Sequence, residues 1–316
     1  MENYNGKVAV ITGGTSGLGY AFAKIIGKKG CHVIITGRNI QKGKNAQERL
    51  LAQNIDAIYI EHDVAEEASW DNVITSAKSK FMEIHYPFNN AGVMLRAKPN
   101  VKLTMNDWKW VMETNMWGAL YGLRKFTEVM LSQECEGHIV TTASTAAVAP
   151  FSMWAPYSVS KAAVVRMVEC FQSEAKLLKM DKVKYSVSFP GVFESDISNA
   201  TVYRNDKYKN EGEQESIEEA SKAGTAEGDK LGKITLEETA QIILDQIDEG
   251  NTYIFTHPDL TTGLVLEQMN SILLNKQVVD QAKYDFEFYA KKLAKKGVFT
   301  EAAKVEQLGK NNNKDL

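Results

Sequence analysis

The chain of 316 residues is 44% hydrophobic and 24% charged, and its 40 acids against 37 bases leave a formal charge of −3. It carries enough apolar material for a large core, and with no basic excess it has nothing to drive binding to a phosphate backbone, so no nucleic-acid partner is expected. No apolar run approaches the ~20 residues that cross a bilayer, and three widely spaced cysteines (Cys31, Cys135, Cys170) and scattered histidines argue against a disulfide framework or a metal site.

Strand-like and helix-like stretches alternate from the start. Residues 7–12 read as a short buried strand, followed by a glycine-rich turn and a helix over 17–28. Further strands are expected at 31–36, 56–62, 84–89, 138–142, 183–189 and 252–255. Between them fall helical patterns at 41–53, 66–80, 104–133, 156–179 and 236–249. Short apolar strands without polar alternation, interleaved with amphipathic helices, predict an α/β fold whose seven-stranded parallel sheet is doubly wound and covered on both faces. Residues 199–233 break the rhythm. They hold eight acids, six bases and few large apolar side chains, which suits a mobile loop or lid, or an insertion without a role. After the last strand comes an extension, 257–316, in which Val279, Ala282, Phe286, Tyr289 and Leu293 fall at helical spacing, as a helix packed on the domain or on a partner subunit requires.

The turn after the first strand is Thr12-Gly13-Gly14-Thr15-Ser16-Gly17-Leu18-Gly19. A strand that enters a glycine-rich turn opening a helix places backbone N–H groups and a helix N-terminus against a pyrophosphate. Gly13 allows the tight turn, Gly17 the approach of phosphate, and Gly19 close helix–sheet packing. The second strand ends in Ile35-Thr36-Gly37-Arg38-Asn39, with a base where NAD sites commonly carry an acid for the ribose hydroxyl. Arg38 can grip a 2′-phosphate through charge-assisted hydrogen bonds, so NADP(H) is expected over NAD(H).

Tyr157-Ser158-Val159-Ser160-Lys161 opens a long helical stretch, and the i, i+4 spacing sets phenol and ammonium one turn apart on one face. A free tyrosine, with a pKa of about 10, is a poor base at neutral pH, and a nearby cation favours the phenolate. Such a pair can pass a proton to a ketone, or take one from an alcohol, while hydride moves to or from a nicotinamide.

Together these residues resemble the short-chain dehydrogenase/reductases of about 250 residues. The signs stand in order: the turn 12–19, Asp63-Val64 after the third strand, Asn89-Asn90-Ala91-Gly92 after the fourth, then Asn115, Ser144, Tyr157 with Lys161, and Pro190-Gly191 after the sixth. The resemblance spans about residues 5–256 and implies a Rossmann-fold dehydrogenase domain over 1–256, with 199–233 as its substrate lid. It implies Asn115, Ser144, Tyr157 and Lys161 as the catalytic set. It also implies coenzyme contacts from Gly13, Thr15, Ser16, Gly17, Leu18, Gly19, Arg38, Asp63, Val64, Asn90, Ala91, Gly92, Tyr157, Lys161, Pro190, Gly191, Val192 and Ser195. Ser195 stands where the family usually has threonine and keeps the hydroxyl. Apolar and aromatic side chains at Met94, Leu95, Ala147, Val148, Phe151, Met153, Trp154 and Phe193 suggest a bulky apolar or aromatic alcohol or ketone, with Arg96 and Lys98 near the mouth. The alternatives are an NAD-linked alcohol dehydrogenase and a non-catalytic NADPH-sensing protein. Relatives of this kind imply a homodimer or homotetramer. The N-terminus has neither the basic nor the apolar part of a signal peptide, so a cytoplasmic protein is expected.

Overall fold

Polar alternation is missing from the strands because helices cover both faces of the sheet. The structure, a computed structural model, describes residues 4–193, 197–210, 233–274 and 277–281, together with 284, 287 and 288. β1 (Val8–Thr12) is buried at every residue. It is joined by β2 (His32–Gly37), β3 (Ala57–Glu61), β4 (Tyr86–Asn89), β5 (Gly137–Thr142), β6 (Val183–Phe189) and β7 (Tyr253–Phe255). The sheet has seven strands in the order β3-β2-β1-β4-β5-β6-β7, parallel at every described pairing, with Ile11 set beside Ile35 on one side and Phe88 on the other. This is the doubly wound, Rossmann-type α/β arrangement that the sequence predicts.

The described helices are α1 (Gly17–Lys28), α2 (Ile40–Leu51), α3 (Glu67–Phe81), α4 (Met105–Met112), α5 (Gly118–Ser132), α6 (Ala155–Leu177), α7 (Leu236–Asp248) and α8 (Pro258–Leu273). Successive residues of a strand point to opposite faces, and the two halves of the core follow that rule. Ala9 and Ile11 meet Phe22 and Ile26 of α1, Leu50 of α2 and Ile243 of α7. Val8 and Val10 meet Trp70 of α3, Phe126 of α5 and Val164 of α6. β1 lies between β2 and β4, so the chain winds away from it in opposite directions and a crevice opens at the carboxyl ends of these strands.

The single helix expected over 104–133 is broken. A π turn, Glu113–Trp117, separates α4 from α5 and carries Asn115. Gly118 lies so close that a Cβ there would stand 2.9 Å from Val64 Cγ2, and Asn115 turns inward to bond Val93. The extra residue in the turn accommodates both contacts, and π turns of this kind recur at functional sites. The extension begins with α8, which starts at Pro258, a residue well suited to a first helical turn. Val279 is described but lies outside a helix, while Ala282, Phe286, Tyr289 and Leu293 lie outside the described residues, as do 211–232 of the expected lid.

The described start of that lid, residues 199–210, leads across to α4. Arg204 Nη2 meets Asp107 Oδ1 at 2.7 Å, with both side chains within 2% of full burial. Asp107 also closes the capping box of α4 with Thr104 and receives Lys98 at 3.1 Å. Burial by itself pushes this carboxyl up. The Thr104 N–H, Arg204, Lys98 and Asn210 more than reverse that and hold it well below the usual carboxylate range. Asp107→Ala leaves a buried guanidinium without its carboxylate, so urea titration should show a loss of about 3–5 kcal/mol in unfolding free energy. Because the folded carboxyl is depressed, its stabilisation is complete above about pH 4 and is lost as the pH falls below that; the variant should have the flatter acid limb.

Candidate active site

The turn over residues 12–19 takes the shape its glycines dictate. Gly13 and Gly17 sit at φ +66° and +54°, left-handed conformations that favour glycine. A Cβ on Gly19 would stand 2.5 Å from the Gly13 carbonyl oxygen, so α1 rests directly on the turn. Thr12 ties this turn to the one after β4: its Oγ1 accepts the N–H groups of Asn90 at 2.9 Å and Ala91 at 3.0 Å, and Asn90 Nδ2 donates to the Thr12 carbonyl at 3.1 Å. Ser16 stands at the N-cap of α1 without making a side-chain cap, and the space beside the Gly17 Cα is open. The first-turn N–H groups therefore have no side-chain cap from Ser16, a fit for the pyrophosphate of a dinucleotide. Thr15 packs over Gly37 at the end of β2, and Leu18 is buried in the core, which leaves only its backbone for a ligand.

Arg38 follows β2 and Asp63 follows β3, neighbouring strands whose ends bring the two side chains into one region. Asn205 spans them, accepting from Arg38 Nη1 at 2.7 Å and donating to Asp63 Oδ2 at 3.0 Å. Val64 is buried, and its carbonyl accepts the Trp70 indole N–H at 3.1 Å.

α6 presents Tyr157 and Lys161 to the same crevice. Lys161 is 3% exposed; its Nζ donates to the Thr142 carbonyl at the end of β5 at 2.8 Å and lies 5.8 Å from the centre of the Tyr157 ring. Among the described residues it has no carboxylate partner, and burial pushes its pKa down to about 8. Burial likewise pushes the Tyr157 phenol above its ordinary value, opposed by a hydrogen bond with Ser144. Ser144 Oγ also accepts the Ala146 N–H at 3.1 Å, so one hydroxyl caps the turn Thr145–Ala147 and reaches the phenol. Asn115 accepts the Val93 N–H at 2.8 Å and donates to the Val93 carbonyl at 2.9 Å and to Ser160 Oγ at 3.1 Å. It thereby fastens the loop that follows Gly92 to the helix that carries Tyr157. A Cβ on Gly92 would stand 3.4 Å from Lys161 Nζ.

Residues 7–206 match the family model described as short chain dehydrogenase. The chain is a short-chain dehydrogenase/reductase. It is 29% identical to a short-chain dehydrogenase/reductase from Burkholderia phymatum crystallised with NAD, covering 89% of this chain and 99% of that one at a TM-score of 0.80. It is 25% identical over 264 residues to a C alpha-dehydrogenase of Sphingobium sp. strain SYK-6, 84% of this chain and 85% of the relative. An NADP-dependent (R)-specific alcohol dehydrogenase of Lentilactobacillus kefiri is 26% identical over 196 residues, 62% of this chain and 77% of the relative.

In this dehydrogenase the Pro190-Gly191 turn is held from a direction that local sequence did not indicate. The Pro190 carbonyl accepts from Thr145 N at 3.1 Å, and Gly191 N donates to Thr256 Oγ1 at 3.0 Å. A Cβ on Gly191 would stand 2.5 Å from the His257 ring. Thr256 and His257 follow β7, where the chain pattern had marked only the end of a strand. Val192 continues the turn and its carbonyl accepts from Ile234 N at 3.4 Å; Ser195 lies outside the described residues.

On the substrate side, Phe151 stacks on Trp154 at 4.5 Å, and Trp154 Nε1 donates to the Leu95 carbonyl at 2.8 Å. Leu95 itself turns into a satellite core with Trp110 and Tyr208 rather than lining the cleft, and Lys98 is engaged by Asp107. The extension also folds back here: Gln281 donates to Thr145 Oγ1 at 2.7 Å, and Asp280 bonds Ser152. Before the amino ends of β4 and β5 Glu83, His85 and Cys135 bring their ligand atoms within 4.8 Å of one another. The Val8 N–H donates to His85 Nδ1 at 3.2 Å, which leaves Nε2 as the protonated nitrogen of the neutral ring, and Gln133 donates to Cys135 Sγ at 3.0 Å. Hydrogen bonding accounts for that cluster.

The unpaired burial of Lys161 has a measurable consequence. Between its folded value of about 8 and the ordinary 10.5 the unfolded chain holds the extra proton, so Lys161 weakens the fold most at neutral pH and least in alkali. Lys161→Met should raise the melting temperature at pH 7 by roughly 2–6 °C, with the gain shrinking as the pH rises through that window in a calorimetric series.

Proposed function

We propose that this enzyme interconverts a ketone or aldehyde with an alcohol at the expense of NADP(H), on bulky apolar or aromatic substrates. The observation that carries the reading is Lys161, buried without a carboxylate beside a tyrosine that hydrogen-bonds Ser144. A cation left uncompensated in a core is unfavourable, and groups of this kind cluster where chemistry uses them.

A bound nicotinamide coenzyme supplies the hydride in reduction and accepts it in oxidation. Tyr157 Oη donates its proton to the carbonyl oxygen in one direction and accepts the alcohol proton in the other. The Ser144 hydroxyl donates to the same oxygen and stabilises the charge that develops there. Lys161 favours the phenolate and so offsets the upward push of burial on Tyr157. Asn115 holds the two walls in register through its bonds to Val93 and Ser160. The backbone of Gly13 to Gly19 holds the pyrophosphate, Asp63 and Val64 the adenine, Asn90, Ala91 and Gly92 the neighbouring ribose, and Pro190, Gly191 and Val192 the carboxamide.

Arg38, in place of an acid after β2, supports NADP(H), as does the NADP-dependent relative from Lentilactobacillus kefiri. The Phe151–Trp154 stack supports a flat or bulky apolar substrate. A cytoplasmic homo-oligomer completes the proposal: among the described residues no helix is long and apolar enough to cross a membrane, and α8 exposes Leu266, Met269, Ile272 and Leu273.

Tyr157→Phe should lower turnover of a ketone panel by about 10²–10⁴-fold with NADPH affinity kept within about threefold, as NADPH absorbance and titration calorimetry will read. Wild-type NADPH binding without turnover of any carbonyl favours a coenzyme sensor instead. Arg38→Asp should cut the ratio of NADP⁺ to NAD⁺ affinity by about tenfold or more, the worth of one charge-assisted contact; an unchanged ratio removes Arg38 from coenzyme choice.

A further inference from the structure

We infer that Asn205 is a coenzyme-selecting residue: it latches a strap, residues 203–208, over the Arg38–Asp63 end of the cleft, and a 2′-phosphate releases that latch whereas a bare 2′-hydroxyl does not. The inference rests on the coenzyme contacts proposed above for Arg38 and Asp63. The strap itself had no signal in the sequence beyond a charged composition.

Two short turns, Ile197–Tyr203 and Asp206–Tyr208, carry the chain from β6 over the ends of β2 and β3. The Asn205 amide is matched in polarity at both ends. Its oxygen accepts from Arg38 Nη1 at 2.7 Å and its nitrogen donates to Asp63 Oδ2 at 3.0 Å, while the Tyr203 carbonyl accepts from Arg38 Nη2 at 3.0 Å. Each terminal nitrogen of the guanidinium thus gives one of its two N–H groups to the strap. Its other attachments do not involve Arg38 or Asp63: Arg204 with Asp107 at 2.7 Å, Lys207 with Glu66 at 2.5 Å, and Tyr208 with Glu113. The strap stays anchored on α4 when its Asn205 side lets go.

Competition for Arg38 decides which coenzyme opens the latch. The strap offers two neutral acceptors, an amide and a backbone carbonyl, whereas a 2′-phosphate offers charged oxygens whose bonds to guanidinium are about twice as strong. The phosphate draws the guanidinium round to face its charged oxygens, and that turn carries both terminal nitrogens away from the Asn205 amide and the Tyr203 carbonyl. A 2′-hydroxyl lacks that charge, so NAD(H) leaves the latch shut.

The test is amide hydrogen exchange across residues 197–210 of the full chain, with saturating NADP⁺ or NAD⁺, together with coenzyme affinities of Asn205→Ala. NADP⁺ should speed exchange at 203–208 by about fivefold or more, and NAD⁺ should leave it within about twofold, as loss of a net-stabilising pair of hydrogen bonds requires. Asn205→Ala removes the competitor and should tighten NADP⁺ by about three- to tenfold with NAD⁺ unchanged. Equal protection of the strap by both coenzymes, unchanged exchange with both bound, or weaker NADP⁺ binding by Asn205→Ala overturns the latch and leaves the coenzyme site standing. If neither coenzyme binds, calorimetry shows no heat, and the coenzyme reading and the latch fall together.

Discussion

The hydroxyl of Thr12, fully buried at the end of β1, donates to the Phe88 carbonyl at 3.3 Å and accepts the N–H groups of Asn90 and Ala91. Winding reverses at this strand, so the two turns that flank it leave the sheet on opposite sides and nothing in the ladder itself holds them at a set distance. Thr12 and Asn90 do so together, the Thr12 hydroxyl with every lone pair and its proton engaged and Asn90 Nδ2 donating to the Thr12 carbonyl. The glycine turn and the Asn-Ala-Gly turn take their relative positions from that junction.

The charges around the cleft are arranged in two contrasting ways. Arg204 and Asp107 are buried as a pair with further donors on the carboxylate, so their desolvation is answered and the pair holds loop to helix. Lys161 is buried with a neutral carbonyl as its described acceptor. Such a group weakens the fold, and sites that shift a proton are where weak points of this kind are retained.

Much of the architecture was legible from local pattern. The seven strands lie within a residue or two of their expected positions because an apolar run with no alternation has only one comfortable place, a parallel sheet covered twice. The glycines of the 12–19 turn were readable for a related reason, since left-handed φ and close backbone approach leave few other residues possible. The i, i+4 placement of Tyr157 and Lys161 was also a local fact, fixed by helical periodicity. The break at Asn115 was not, because the residues on either side continue a good helical pattern. Contacts to Val64 and Val93, far away along the chain, force the extra residue into the turn.

The sequence by itself determined the α/β class, the seven strands and the glycine turn after β1, which follow from local periodicity and from glycine's freedom, and its ordered motifs carried the resemblance to the family that the comparison confirms. Only the tertiary structure decided that Asn205 reaches back 167 residues to Arg38, that Thr256 and His257 brace the Pro190-Gly191 turn, and that Gln281 returns to Thr145 beside Ser144. Those pairings carry no period and no motif. They are set by where the sheet delivers the ends of distant segments, and a polar side chain acquires its meaning there from whichever donor or acceptor the fold brings within about 3 Å of it.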